Sequence, residues 1–266
     1  MEEINADLNK ILQMLESGEN AFTAGDEEVY HCPLCRDTGW ISDGASARLC
    51  KCRKKQQSVQ RSSLPPKLAK CRFENFYLNK YSREALPGKE SSYQSLARQA
   101  LIAVREFAAA YLAGQAPRGI VLTGGNGCGK THLVAATANL LLEKNVDVFF
   151  QVVPEFLDQL RDSYHRENQG MREAELIRRA YTASVLVLDD LGAHNFTEWV
   201  QNKLFAIVNY RLNYELPCLI TTNLSLPELG ECIGRRTTSR LMEGCDVLEL
   251  ASKQDFRIQK QAEARG

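Results

Sequence analysis

From about residue 90 onward the chain alternates between two textures. Short continuous apolar runs are separated by longer stretches in which apolar residues recur every three or four positions. The runs Ile120-Val121-Leu122, 146–153, Val185-Leu186-Val187-Leu188 and Cys218-Leu219-Ile220-Thr221-Thr222 predict strands, and "VLVL" fits a strand covered on both sides. The periodic stretches predict helices over Tyr93–Leu112, 131–143, 155–164, 173–181 and 198–212, the last with Asn195 and Glu198 spaced as a capping pair. Strand and helix in regular alternation predict an α/β fold: a parallel sheet with helices on both faces.

The first 90 residues read differently. Ile4, Leu8, Ile11, Leu12 and Leu15 recur at helical spacing until Ser17-Gly18-Glu19-Asn20 breaks the pattern. A cysteine-containing module follows, and then a basic stretch punctuated by Ser62-Ser63-Leu64-Pro65-Pro66, which reads as a linker. The expected organisation is an N-terminal partner-binding helix plus metal module at 1–60, a basic linker and lead-in at 61–90, and the α/β domain at 91–266.

Composition adds little to this, but charge does. With 33 basic and 33 acidic residues the formal charge is zero, which gives no bulk affinity for nucleic acid. The balance hides a gradient: eight acids against Lys10 alone in residues 1–28, then eight Lys or Arg and no acid in residues 51–72. Separate surfaces for separate partners are one reading, solvated faces the other. No signal-like opening segment and no apolar run of ~18 residues is present, so neither secretion nor a membrane span is expected. Nine cysteines in such a chain point to the reducing cytoplasm, where thiols bind metal or pack.

Gly124-Gly125-Asn126-Gly127-Cys128-Gly129-Lys130-Thr131 matches G-x-x-x-x-G-K-[ST], with an apolar strand before it and a helix after it. Glycines let backbone N–H groups turn in around phosphate oxygens, and the helix N-terminus adds partial positive charge. The stretch through His132 is therefore expected to hold ATP. Lys130 reaches the β- and γ-phosphates, the Thr131 hydroxyl ligates Mg²⁺, and Cys128 is a small loop residue. Asp189 and Asp190 end the "VLVLDD" strand, where ligand chemistry sits in open α/β sheets. The first carboxylate is expected to hold Mg²⁺ and the second to orient and deprotonate a water. Two adjacent acids favour hydrolysis over transfer to a small-molecule acceptor. Asn223, closing "LITTN", is either a turn residue or an amide aimed at the γ-phosphate or the water.

Cys32 and Cys35 form C-x-x-C, and after fourteen intervening residues Cys50 and Cys52 form C-x-C. Four thiolates so spaced suit tetrahedral Zn²⁺, which would hold together a module too small to have a core. The tight C-x-C leaves open that His31 replaces one of that pair. The cysteines at 71, 128, 218, 232 and 245 are scattered and read as structural.

The motifs "GGNGCGKTH", "VLVLDDLG", "LITTNLS" and "RRTTSRL" occur in the order of an AAA+ P-loop ATPase and resemble the DnaC/DnaI-type helicase loaders, with the IstB transposition helpers as relatives. "RFENF" is similar to the segment leading into that domain, and the resemblance covers about residues 73–257. It implies an ATPase that self-associates through this domain, binds a replicative DnaB-family helicase through its N-terminal part, and touches single-stranded DNA. It makes Asn223 sensor 1, Arg240 the candidate arginine finger and Arg257 the sensor-2 arginine. Arg235 and Arg236 compete with Arg240, and all three also read as surface arginines paired with nearby acids. Only nine residues follow Arg257, too few for a full helical C-terminal lid, a trait of the lid-less loaders. Asp190 stands where many AAA+ ATPases have Glu, so slow, partner-stimulated hydrolysis is expected. The segment 154–180 occupies the place of a DNA-contacting helix, with Arg161, Tyr164, His165 and Arg166 as cations and aromatics for a single strand. Asp162, Glu167, Glu173 and Glu175 dilute that charge, and an amphipathic helix pair is the alternative. A transposase helper acting on target DNA shares the same ATPase. A nucleotide kinase is argued against by the tandem acids and the "SRL…DFR" arginines, and a binding module with negligible hydrolysis is a further reading.

Overall fold

The computed structural model describes residues 34–35, 40–42, 47–49, 64–162, 170–193 and 196–258. The chain divides into two units, 1–50 and 51–266. In the first, strands β1 (Trp40–Ser42) and β2 (Ala47–Leu49) form an antiparallel hairpin with Trp40 opposite Leu49. The amphipathic stretch at residues 4–15 lies outside the described residues.

In the second unit, three short 3-10 turns (Pro66–Lys70, Phe73–Asn75, Leu78–Lys80) lead to helix α1 (Tyr93–Leu112), capped by Ser92, whose hydroxyl accepts from Ser95 N. Then follow β3 (Gly119–Thr123), α2 (Lys130–Glu143), β4 (Val148–Val152), α3 (Val153–Asp162), α4 (Gly170–Thr182) and β5 (Val185–Asp189). Next are α5 (Glu198–Asn213), β6 (Cys218–Thr222), α6 (Leu226–Ile233), α7 (Arg235–Gly244) and β7 (Cys245–Glu249). The larger sheet is wholly parallel, in the order β4-β5-β6-β3-β7.

The strand alternation explains two cores from one sheet. Ile120, Leu122, Val148, Phe150, Val185, Val187 and Leu219 face α1 and α2, whereas Val121, Phe149, Leu186, Leu188 and Ile220 face the side covered by α3 to α7. Every residue of β5 is buried, so its unbroken apolar run is what a central strand with two covered faces requires. The α/β expectation is thus met.

The cap of α5 differs from expectation. Thr197, not Asn195, is the N-cap, its side chain accepting from Val200 N, and Glu198 is the first helical residue. Strand β4 starts two residues later than the apolar run, because Val146 ends the turn after α2, donating its N–H to Leu141 O. Strand β7 and helices α6 and α7 were not foreseen; β7 is the sheet edge, with Asp246 and Val247 exposed. Among the described residues no helix is long and apolar enough to cross a membrane.

Candidate functional site

Strand order places three strand ends side by side: β5 ending in Asp189, β6 running into Asn223, and β3 running into the glycine loop. In a parallel sheet these are the carboxyl ends, where the helix N-termini also point. The sheet therefore gathers Lys130, Thr131, Asp189, Asp190 and Asn223 into one centre, although they span 93 positions of sequence.

The loop fits its glycines tightly. Gly129, at φ 104°, opens α2, and a Cβ there would lie 2.8 Å from the Tyr81 hydroxyl. Gly127, at φ 66°, lies against the Asp255 carboxylate, with no room for a methyl group between them. Both positions require glycine by conformation and by contact. Gly125 and Asn126 are exposed at the loop tip, and the Cys128 thiol is buried, donating to Gly125 O at 3.0 Å.

Lys130 is only 6% exposed. Its ammonium donates to Gly124 O, Gly125 O and Asn223 Oδ1, each at 2.7 Å. All three protons are thereby used, which lets a cation remain buried without a directly bonded carboxylate. Burial still pulls its pKa below the ordinary lysine range, with Cys128 and then the carboxylates of Asp190 and Asp189 opposing. Asn223 turns its other amide atom to the second acid, Nδ2 donating to Asp190 Oδ1 at 2.7 Å.

Asp189 is 5% exposed and accepts on one oxygen from two hydroxyls, Thr131 Oγ1 at 2.9 Å and Thr221 Oγ1 at 2.6 Å. Burial pushes its pKa up, and the two hydroxyls oppose that shift. Asp190 has φ 62°, a left-handed conformation costing a non-glycine residue about 1–2 kcal/mol. Two groups following or ending β6 hold it there: Thr221 Oγ1 accepts from Asp190 N at 2.9 Å, and Asn223 binds its carboxylate. Thr221 was not foreseen as a site residue; its signal is the pair of hydroxyls, Thr221 and Thr222, ending a buried strand.

The loop is braced from behind by the lead-in. The buried Tyr81 hydroxyl donates to Cys128 O at 2.6 Å, and its ring meets Phe76 and Phe256 at 5.5 and 4.9 Å. His132 Nε2 is hydrogen-bonded to Arg72 O at 2.9 Å, and Asn139 Nδ2 donates to Leu68 O and Cys71 O. The C-terminal strap reaches the same loop, Phe256 N donating to Gly127 O at 3.2 Å. Beside these contacts lies a cavity of about 230 Å³ lined by Asn79, Lys80, Tyr81, Ser82, Lys253, Gln254 and Phe256. Nothing in local spacing announces Tyr81 or Phe256, because each meets the loop across a long sequence separation.

The remaining predicted residues lie elsewhere. Arg240 is on α7 and pairs with Glu243 at 2.7 Å; Arg236 stacks 4.5 Å from the Phe205 ring; Arg235 is exposed. Within one chain none of the three has a hydrogen bond to the Lys130 centre among the contacts described. Arg257 is exposed in the strap, its N–H donating to Asp255 Oδ1 at 2.8 Å. Arg161 lies in the last turn of α3, while Tyr164, His165 and Arg166 fall outside the described residues. Cys35 is buried, and Cys32, Cys50, Cys52 and His31 lie outside the described residues.

A hydroxyl and a carboxylate side by side at a glycine loop offer oxygen ligands for Mg²⁺, and the loop's N–H groups with Lys130 offer donors for phosphate. The donor set fits a magnesium nucleotide. The chain is 29% identical over 239 residues to the replicative helicase loader DnaI of Bacillus subtilis, covering 85% of this chain and 71% of the relative. It is 26% identical over 237 residues to the replicative helicase loader DnaC of Escherichia coli, covering 89% and 88%. A crystal structure of DnaI shares the fold with a TM-score of 0.58 at 22% identity, over 75% of this chain and 99% of that one. The family profile described as IstB-like ATP binding protein matches residues 93–264, so the chain belongs to the IstB-like ATP-binding family.

Proposed function

We propose that this chain is an ATP-hydrolysing loader of a replicative DnaB-family helicase, using nucleotide as a switch for self-association and for its grip on single-stranded DNA. The observation that carries the ATPase reading is the pairing of Thr131 Oγ1 with Asp189 Oδ1 at 2.9 Å beside a buried Lys130. The loader reading is supported by two relatives named replicative helicase loaders, whose similarity extends over 85–89% of this chain.

In this reading Lys130 gives up its acceptors, Asn223 Oδ1 among them, for the β- and γ-phosphates, and Thr131 and Asp189 would hold Mg²⁺. The metal supplies neutralisation of phosphate charge when bound. Asp190 orients and deprotonates the attacking water, and its short side chain makes turnover slow until a partner adjusts the site. Asn223 reports the γ-phosphate. Arg240, half-buried on α7 and paired with Glu243, completes a neighbour's site in trans, and Arg257 reaches the nucleotide from the strap. The cavity between the lead-in and the strap suits the base. A slow switch is sufficient here, because a loader needs a difference of affinity between nucleotide states rather than rapid turnover.

The four thiols of Cys32, Cys35, Cys50 and Cys52 hold one Zn²⁺ in this proposal. It is supported by the C-x-x-C and C-x-C spacing on either side of the β1–β2 hairpin, in which Leu49 lies opposite Trp40. Together with the amphipathic stretch at residues 4–15, this module binds the helicase, and Arg161, Tyr164 and Arg166 contact the DNA strand.

The test is capture of a DnaB-family helicase by full-length chain and by chain lacking residues 1–60, each in ATP and in ADP. Loss of capture on truncation with ATP hydrolysis retained is expected; equal capture by both refutes the N-terminal docking. The IstB-like profile match favours a second reading, a transposase helper, but it covers only residues 93–264. A transposase in place of the helicase in the same capture discriminates between them.

A further inference from the structure

Asn223 makes two hydrogen bonds at once, and they join opposite ends of the reaction centre. Its Oδ1 accepts from the Lys130 ammonium and its Nδ2 donates to Asp190 Oδ1, both at 2.7 Å. A planar amide satisfied on both sides has one orientation, so neither partner leaves without loosening the other. Lys130 has no spare proton for a phosphate, since Gly124 O and Gly125 O take the remaining two. Asp190 has its backbone fixed by Thr221 and its carboxylate fixed by Asn223.

We infer that Asn223 is a positioning residue that latches the nucleotide-free centre: it competes with phosphate for Lys130 and holds the Asp190 carboxylate until that competition is lost. This rests on the reading of the centre as a nucleotide site and goes beyond a γ-phosphate sensor, because the latch opposes any phosphate that Lys130 must reach. ADP is therefore the informative probe. A residue that acts only on the γ-phosphate leaves ADP affinity untouched, whereas a latch lowers it. Arrival of phosphate at Lys130 removes the donor from Asn223 Oδ1, frees the amide to turn, and releases the Asp190 carboxylate toward water.

The experiment is calorimetric titration of the full-length chain with Mg·ADP. Asn223→Ala removes one of three oxygen acceptors from Lys130, leaving Gly124 O, Gly125 O and the more distant Cys128 sulfur, and it is expected to bind Mg·ADP about five- to tenfold more tightly than wild type. Asn223→Asp keeps an acceptor, gives it a charge and takes the donor from Asp190, so it is expected to bind more weakly than wild type. Damage to the fold lowers affinity in every variant and cannot produce opposite signs. If Asn223→Ala does not accumulate in folded form, Asn223→Ser, too short to span both partners, is expected to show the same tightening. Wild-type binding with no tightening in the Ala or Ser variant overturns the latch alone. Absence of binding of both Mg·ADP and Mg·ATP by wild type overturns the nucleotide reading, and the latch with it.

Discussion

Arg211 is completely buried in α5, and no carboxylate pairs with it among the described residues. Its guanidinium is held by carbonyls instead: Nη1 donates to Ala180 O, Tyr181 O and Ala183 O at 2.8–3.1 Å, and Nη2 to Pro217 O at 2.9 Å and Ser184 O at 3.5 Å. Nε donates to the Cys218 sulfur at 3.3 Å. Ala180 and Tyr181 belong to the last turn of α4, whose carbonyls lack intrahelical partners and carry the negative end of the helix dipole. One cation thus ties the end of α4 to the start of β6. Arg211→Met fills most of the volume but strands these acceptors. At about 1 kcal/mol of net loss per carbonyl, partly offset by no longer burying a charge, the cost is about 3–4 kcal/mol. That is a large part of the ~5–15 kcal/mol available to a domain. Arg211→Lys keeps the charge with three donors, and about half that loss is expected. Urea unfolding followed by circular dichroism measures both, with a lowered midpoint and an unchanged slope. A loss below about 1 kcal/mol for Arg211→Met refutes the reasoning, because it means water or rearrangement satisfies the carbonyls without the arginine.

Three further outcomes are expected. Asp189 has its folded-state pKa raised by burial, so its ionisation opposes folding, and the nucleotide-free chain loses stability from this group as pH rises from about 4 through the folded value. Asp189→Asn removes that cost while keeping an acceptor for Thr131 and Thr221; its thermal midpoint without nucleotide is expected to equal or exceed wild type at pH 7, and it gains no stabilisation from Mg·ATP. A lower nucleotide-free midpoint contradicts this. Elemental analysis of purified chain is expected to find about one zinc per chain, lost in Cys32→Ser; metal-free protein whose N-terminal module stays folded counts against the site. Arg240→Ala is expected to cut partner-stimulated hydrolysis by about 10³-fold or more, with nucleotide affinity little changed; wild-type turnover in that variant removes Arg240 from the role of finger.

What could be read in the sequence was local. The "GGNGCGKTH" loop and the "VLVLDD" strand declare themselves because phosphate binding and double-sided burial each impose a pattern within ten residues. Spacing shows Asn223 only as a polar residue ending an apolar strand, and the family resemblance adds the sensor-1 role; that it touches both Lys130 and Asp190 depends on β6 lying between β5 and β3, which neither reveals. Arg211 sits in a helix whose charge pattern suggests a surface face, and only the carbonyls of a neighbouring turn explain its burial. Tyr81 and Asp255 meet the glycine loop over 47 and 128 positions, so their roles come from tertiary packing alone. Strand β7 escaped notice because "CDVLE" is an edge strand, with polar Asp246 and Glu249 interrupting its apolar residues. The cap of α5 shows the same limit at short range: Asn195 and Thr197 both suit an N-cap, and the backbone selected Thr197.

The most direct test of the nucleotide switch is analytical ultracentrifugation of the full-length chain with Mg·ATP, with Mg·ADP and without nucleotide, alongside Lys130→Ala. Larger assemblies in Mg·ATP, smaller species in the other two conditions and no response in Lys130→Ala are the expected result. One sedimentation pattern for wild type under all three conditions contradicts it.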